Sequence, residues 1–210
     1  MKFKYGADVV NSQKEKVGEI ESVVIDPETQ EITHLIVEEG FLLKEDKVVP
    51  ISLVANIDED HVKLHEFSDS FDEFPAYQEM HYVPIHQLDS VQVDPELTPL
   101  YAYPPLGMGG FHPSPALEVV VEEENIPTTA ELIEEGANVI TLDEEHVGNV
   151  EEVIFDPDSD RATHLIISKG LLLQDEKLIP VNWVKEYDQQ KIKLFVDSTV
   201  IENLPAHMQE

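Results

Sequence analysis

The chain has 210 residues, with 44 acidic against 13 basic side chains, a formal net charge of -31 and no cysteine. That charge argues against nucleic acid and anionic lipid as partners, since both need lysine and arginine to displace counterions, and points instead to basic protein partners. The missing thiols exclude disulfides, thiolate metal sites and cysteine nucleophiles, and no run of about 18 apolar residues spans a bilayer, so a soluble, cytoplasmic protein without cofactor is expected.

Residues 6–10 predict a short strand and 13–16 a polar turn. Residues 17–25 predict a strand that bends at Gly18, because the alternation of Ile20 and Val24 against Glu19 and Glu21 is only partial. Asp26-Pro27 opens a turn, since proline fixes φ and the aspartate side chain bonds the amides ahead of it. Strands over 32–37, 47–49 and 51–57 follow, then a tight turn and a closing strand over 61–64. Several short strands with turns every eight to twelve residues predict a small barrel, which hides its edges. Ser70 suits a helix N-cap, Asp72 and Glu73 a first turn, and Pro75 ends it, with Phe71 and Phe74 expected against the barrel.

From residue 81 to 115 the character changes. Seven prolines and Gly107, Gly109 and Gly110 forbid long regular elements, yet Tyr82, Tyr101, Tyr103, Leu106, Met108 and Phe111 are too apolar for a free tether. An extended segment packed on its neighbours is expected. Residues 118–122 predict a strand, and 128–133 a short helical turn after Pro127.

The first unit then recurs. Residues 26–50, DPETQEITHLIVEEGFLLKEDKVVP, and 156–180, DPDSDRATHLIISKGLLLQDEKLIP, align without a gap at a spacing of 130. Gly136-Ala137-Asn138-Val139-Ile140 matches 6–10, Val147-Gly148 the bend, and 198–207 the helical turn of 68–77, with Ile201 and Leu204 in the places of Phe71 and Phe74. The chain therefore divides into a first repeat domain over 1–79, a Pro-rich connecting segment over 80–117 and a second repeat domain over 118–210.

Val17-Gly18, 23–27, 32–37 and 47–50, with Val147-Gly148, 153–157, 163–167 and 177–180 in the second copy, resemble the PRC-barrel family. The resemblance implies an all-β fold of two tandem small PRC-type barrels with short helical turns. It further implies a scaffold or interaction module in place of a reaction centre; photosynthetic, ribosome-maturation, sporulation and cell-division proteins carry such modules.

Candidate sites are few. The apolar triplets Phe41-Leu42-Leu43 and Leu171-Leu172-Leu173 each follow a glycine and precede charge, and read either as plugs of a barrel mouth or as an exposed docking patch for a protein partner or a second copy of the chain. Asp156, Asp158 and Asp160 offer oxygens at alternating positions, the start of a calcium loop, but Arg161 stands where such a loop needs glycine; weak binding of calcium, another divalent cation or a small ligand at such acidic turns is the alternative function. His34 and His164 share one strand position without a neighbouring ligand, His61 and His65 are four apart on a strand, and His81, His86 and His112 are scattered. No catalytic set emerges, so a non-catalytic scaffold or adaptor is the expected role.

Overall fold

The computed structural model describes residues 1–40, 44–58, 61–65, 71–84, 118–169, 175–188 and 190–207. The first repeat forms β1 (Lys2–Lys4), β2 (Asp8–Val10), β3 (Lys16–Ile25), β4 (Ile32–Glu39), β5 (Glu45–Pro50), β6 (Val54–Ile57) and β7 (His61–Leu64). Next come β8 (Gln78–Pro84) and β9 (Glu118–Glu124). The second repeat supplies β10 (Glu131–Glu134), β11 (Asn138–Ile140), β12 (His146–Asp156), β13 (Arg161–Lys169), β14 (Asp175–Pro180), β15 (Val184–Asp188), β16 (Lys191–Leu194) and helix α1 (Ser198–Glu202). The strands β8 and β9 pair only with each other and belong to a separate unit, Gln78–Asn125; the two repeats form the other.

Each repeat builds the same all-β sheet, in the order β5-β4-β3-β2-β7-β6 and β14-β13-β12-β11-β16-β15. The end strands β5 and β6 are joined by a single 3-10 turn, Ile51–Leu53, and Val181–Trp183 does the same in the second repeat. Such a short link between the two ends forces the sheet to curl round on itself. The sequence predicts one strand over 51–57; instead its first three residues take the 3-10 turn, in which the Val54 N–H bonds the Ile51 carbonyl. At Gly18 the sheet bends as predicted: Val9 faces Gly18 but Val10 faces Lys16, leaving Val17 as an extra residue. A Cβ on Gly18 would lie 2.5 Å from the Glu38 carbonyl oxygen, and one on Gly148 would lie 2.7 Å from that of Ser168.

The edge strands are exchanged. β1, from the first repeat, pairs antiparallel with β12 of the second barrel, Phe3 facing Val153. Reciprocally β10, from the second repeat, pairs with β3 of the first, Ile133 facing Val23. One pairing is the other displaced by 130 positions, so a local two-fold relates the barrels. The helical turn predicted for 128–133 is corrected accordingly: Ala130 bonds back to Pro127, and then residues 131–134 extend, because β3 leaves four residues without a partner on that side and Leu132-Ile133 bury themselves by filling it. The two repeats thus exchange β1 and β10, and neither barrel is made of one continuous stretch.

Crossing from one barrel to the other takes three residues. Tyr5, Gly6 and Ala7 carry the chain from β1 to β2, and Gly6 has φ +72°, as has its counterpart Gly136. There the chain turns back onto its own sheet, with the Gly6 N–H bonding the Ile20 carbonyl at 2.8 Å and the Gly136 N–H that of Val150 at 2.9 Å. The repeated hairpin turns complete the junction. Gln30 and Asp160, both at positive φ, present their carbonyls across the two-fold to the N–H groups of Ala162 and Ile32, at 2.9 and 2.8 Å, and Glu31 lies beside Arg161.

One apolar core therefore runs through both barrels, from Phe3, Val9 and Leu35 to Phe155, Ile167 and Ile201. Phe3 stacks on Phe155 with ring centroids 4.5 Å apart. The turns at Phe71 and α1 pack on it as the sequence predicts, burying Phe71 and Ile201 with Phe74 and Leu204 against them. Where the two crossing strands meet, the Tyr5 hydroxyl donates to the Ile133 carbonyl at 2.8 Å, and burial pushes its proton affinity well above the ordinary phenol value.

Two outcomes follow from this geometry. Gly6→Ala meets no atom within 4 Å, so its cost comes only from the left-handed dihedral, about 1–2 kcal/mol, whereas Gly18→Ala, which drives a methyl into a carbonyl, costs more; chemical denaturation of the two variants orders them. Tyr5→Phe removes the buried hydrogen bond to the Ile133 carbonyl and lowers stability by about 1 kcal/mol, read by the same measurement.

Candidate interaction surface

Alternation along β4 and β5 puts Ile36 opposite Val48 and Glu38 opposite Asp46, all on one face of the sheet. Toward one end this face is apolar: Val24, Ile36, Val48, Tyr77 and Leu132 form a second buried cluster, with Ile126 and Ala130 packed against it. Two residues further along the strands it turns acidic. Glu21 joins Glu38 and Asp46 there, brought round by the register shift between Ile20 and Ser22.

The Glu21 and Asp46 carboxyls are held above their ordinary range, first by burial and then by repulsion from Glu38, with Asp46 and Glu135 adding to the effect on Glu21. Lys44 lies 2.7 Å from Glu38, and that contact raises its own proton affinity. A face of this kind attracts positive charge. In the second barrel the matching positions hold Glu151, Ser168 and Glu176, so one acid is replaced by a serine, whose hydroxyl donates to Glu151.

Several other polar side chains are committed to the fold. Lys47, nearly buried, donates to the Asp72 carbonyl at 3.3 Å, and Lys177 donates to those of Glu202 and Leu204 at 3.1 and 2.8 Å. The repeated Lys-x-x-Pro of 47–50 and 177–180 is thus an anchor for the helical turn. Sequence reading finds the motif but misses this role, because the carbonyls lie 25 and 27 residues away. Asp143 clamps α1 from outside, accepting from the Ser198 N–H at 3.0 Å, the Ser198 hydroxyl at 2.7 Å and the Thr141 hydroxyl. Asp143 and Ser198 line a cleft of about 350 Å³ with His146, Lys169 and Lys177.

The residues singled out in the sequence fall as follows. Phe41, Leu42 and Leu43, and Leu171, Leu172 and Leu173, lie outside the described residues, as do Ser70, His86 and His112. Asp156 turns its carboxylate onto its own loop, accepting from the Asp158 N–H at 3.2 Å and the Ser159 hydroxyl at 2.8 Å, and these bonds lower its pKa. Asp160 serves the junction through its backbone carbonyl. Among the described residues no group of three or more histidine or acidic side chains is arranged to hold a metal ion. His34 and His164 sit half-buried on β4 and β13 at matching positions, and burial lowers the proton affinity of both. Among the described residues no helix is long and apolar enough to cross a membrane.

The model of the PRC-barrel domain matches residues 5–70 and 135–201, well over half of the chain, and does so twice. The chain belongs to the PRC-barrel family. No curated protein matches it. Both matched regions begin just after the exchanged strands, so β1 and β10 lie outside the PRC-barrel segments themselves.

Asp143 gives a pH signature. The hydroxyl of Thr141, followed by that of Ser198, holds its pKa down to about 2. A depressed carboxylate contributes stability in full above its unfolded value of about 3.9 and loses it as pH falls through the folded one. Asp143→Ala is therefore expected to lower Tm at neutral pH, with the gap to the unmodified protein closing between pH 4 and 2 in a thermal melt series.

Proposed function

We propose that this PRC-barrel protein is a non-catalytic scaffold whose first barrel docks a basic segment of a protein partner on the face carrying Glu21, Glu38 and Asp46. The observation that supports the reading most directly is geometric: the strand registers gather Glu21, Glu38 and Asp46 on one face. Burial first, and repulsion from Glu38 second, raise the proton affinity of Glu21 and Asp46, so part of that rise is mutual repulsion. Lysine or arginine from a partner relieves that repulsion. The adjoining Val24, Ile36 and Val48 give the face a firm floor, and the net charge of -31 adds long-range attraction that speeds encounter.

A lysine-rich peptide titrated calorimetrically at low and moderate salt tests this. Glu21→Gln, Glu38→Gln and Asp46→Asn together are expected to weaken binding at least about tenfold, whereas neutralising Glu28, Asp158 and Asp160 removes as much charge and has little effect. Equal losses from both triples would leave only diffuse attraction to an acidic protein and would sink the assignment of the face.

A further inference from the structure

The two exchanged strands are equivalent by topology but opposite in chemistry. At matching positions β1 carries Lys2 where β10 carries Leu132, and the strands that receive them carry Glu152 and Ser22 respectively. Glu152, Leu132 and Ser22 are buried, and Lys2 reaches in from the rim. Glu152 is 5% exposed, and Lys2 reaches both its oxygens, at 3.2 and 2.9 Å. Leu132, 4% exposed, sits in the apolar cluster of Val24, Ile36, Val48 and Tyr77, with uncharged Ser22 on the receiving strand.

Pairing either repeat with a copy of itself breaks these matches. Two first repeats would lay β1 on β3 and force the Lys2 ammonium onto the apolar cluster with only Ser22 near it. Two second repeats would lay β10 on β12, leave Glu152 buried without its lysine, and set Glu134 directly opposite it. On the two-fold itself Glu31 meets Arg161, 3.3 Å apart; self-pairing would set Glu31 against Glu31 or Arg161 against Arg161. Phe3 would also lose Phe155 and meet Ile25 in its place.

We infer that Lys2–Glu152, Leu132–Ser22 and Glu31–Arg161 form a pairing code, by which the strand-exchange surface of each repeat accepts the complementary repeat and refuses a second copy of itself. The partner this surface fits is a barrel repeat bearing the opposite member of each pair, in this chain or in another copy of it. The inference rests on burial and register and is independent of the acidic face on the first barrel.

Two measurements test it. In the full chain, Lys2→Leu is expected to lower Tm and Glu152→Ser added to it to restore most of the loss, because the pair then has the Leu132–Ser22 chemistry; a harmless Lys2→Leu, or no rescue, would overturn the code. For specificity, the full chain with a protease site placed between residues 85 and 117 is cut, unfolded and refolded, and the pieces are weighed by native mass spectrometry. Paired pieces are expected to be one first repeat with one second repeat, self-pairs staying below about a tenth of them. Self-pairs near the statistical proportion, or pieces that part on cutting, would refute it.

Discussion

Neither barrel can satisfy its own longest strand. β3 and β12 have 10 and 11 residues, but the strands β2 and β11 that flank them on one side have three each. The remainder of that side would expose backbone donors and acceptors and the apolar side chains next to them, an arrangement that sheets avoid. The repeat solves this by sending its first strand to the other barrel. Because both repeats do it, the cores merge, and the hydrophobic interior that a small barrel lacks on its own is shared between two.

That sharing explains why the conformational demands gather at the junction. Gly6 and Gly136 supply the left-handed turn that lets the chain leave one sheet and join another within three residues. Gln30 and Asp160 adopt positive φ without being glycine, and what compensates is that their carbonyls bind the opposite repeat. The Asp-Pro turn, which serves locally to reverse the chain, doubles as half of an interface. Tyr5 adds a bond that no repeat supplies for itself, since Glu135 stands in its place in the second copy.

Much of each barrel was legible in the sequence: the duplication, the strands, the bend at Gly18, the helical turn packed by Phe71 and Ile201. These are local patterns, or patterns that repetition makes visible twice. The 3-10 turn at Ile51 was not, because Ile51-Ser52-Leu53 alternates as a strand does and only the closing of the sheet forces it to turn. The acidic face was legible as charge but not as a place, since Glu21 reaches Glu38 and Asp46 through a register shift.

The exchange itself was hidden for a reason that the chemistry supplies. Aligned at 130, the repeats agree from Gly6 and Gly136 onward but diverge just before, where Lys-Phe-Lys-Tyr faces Leu-Ile-Glu-Glu. Divergence there reads as the edge of the repeat, and the first strand is set aside as a terminus. Yet those positions differ because they must recognise different surfaces, one with a buried glutamate and one with an apolar cluster. Had they stayed alike, the duplication would have been visible from its first residue, and each half would have been free to pair with a copy of itself. In a duplicated chain, the loss of similarity at a sheet edge can therefore mark the place where the two copies came to depend on each other.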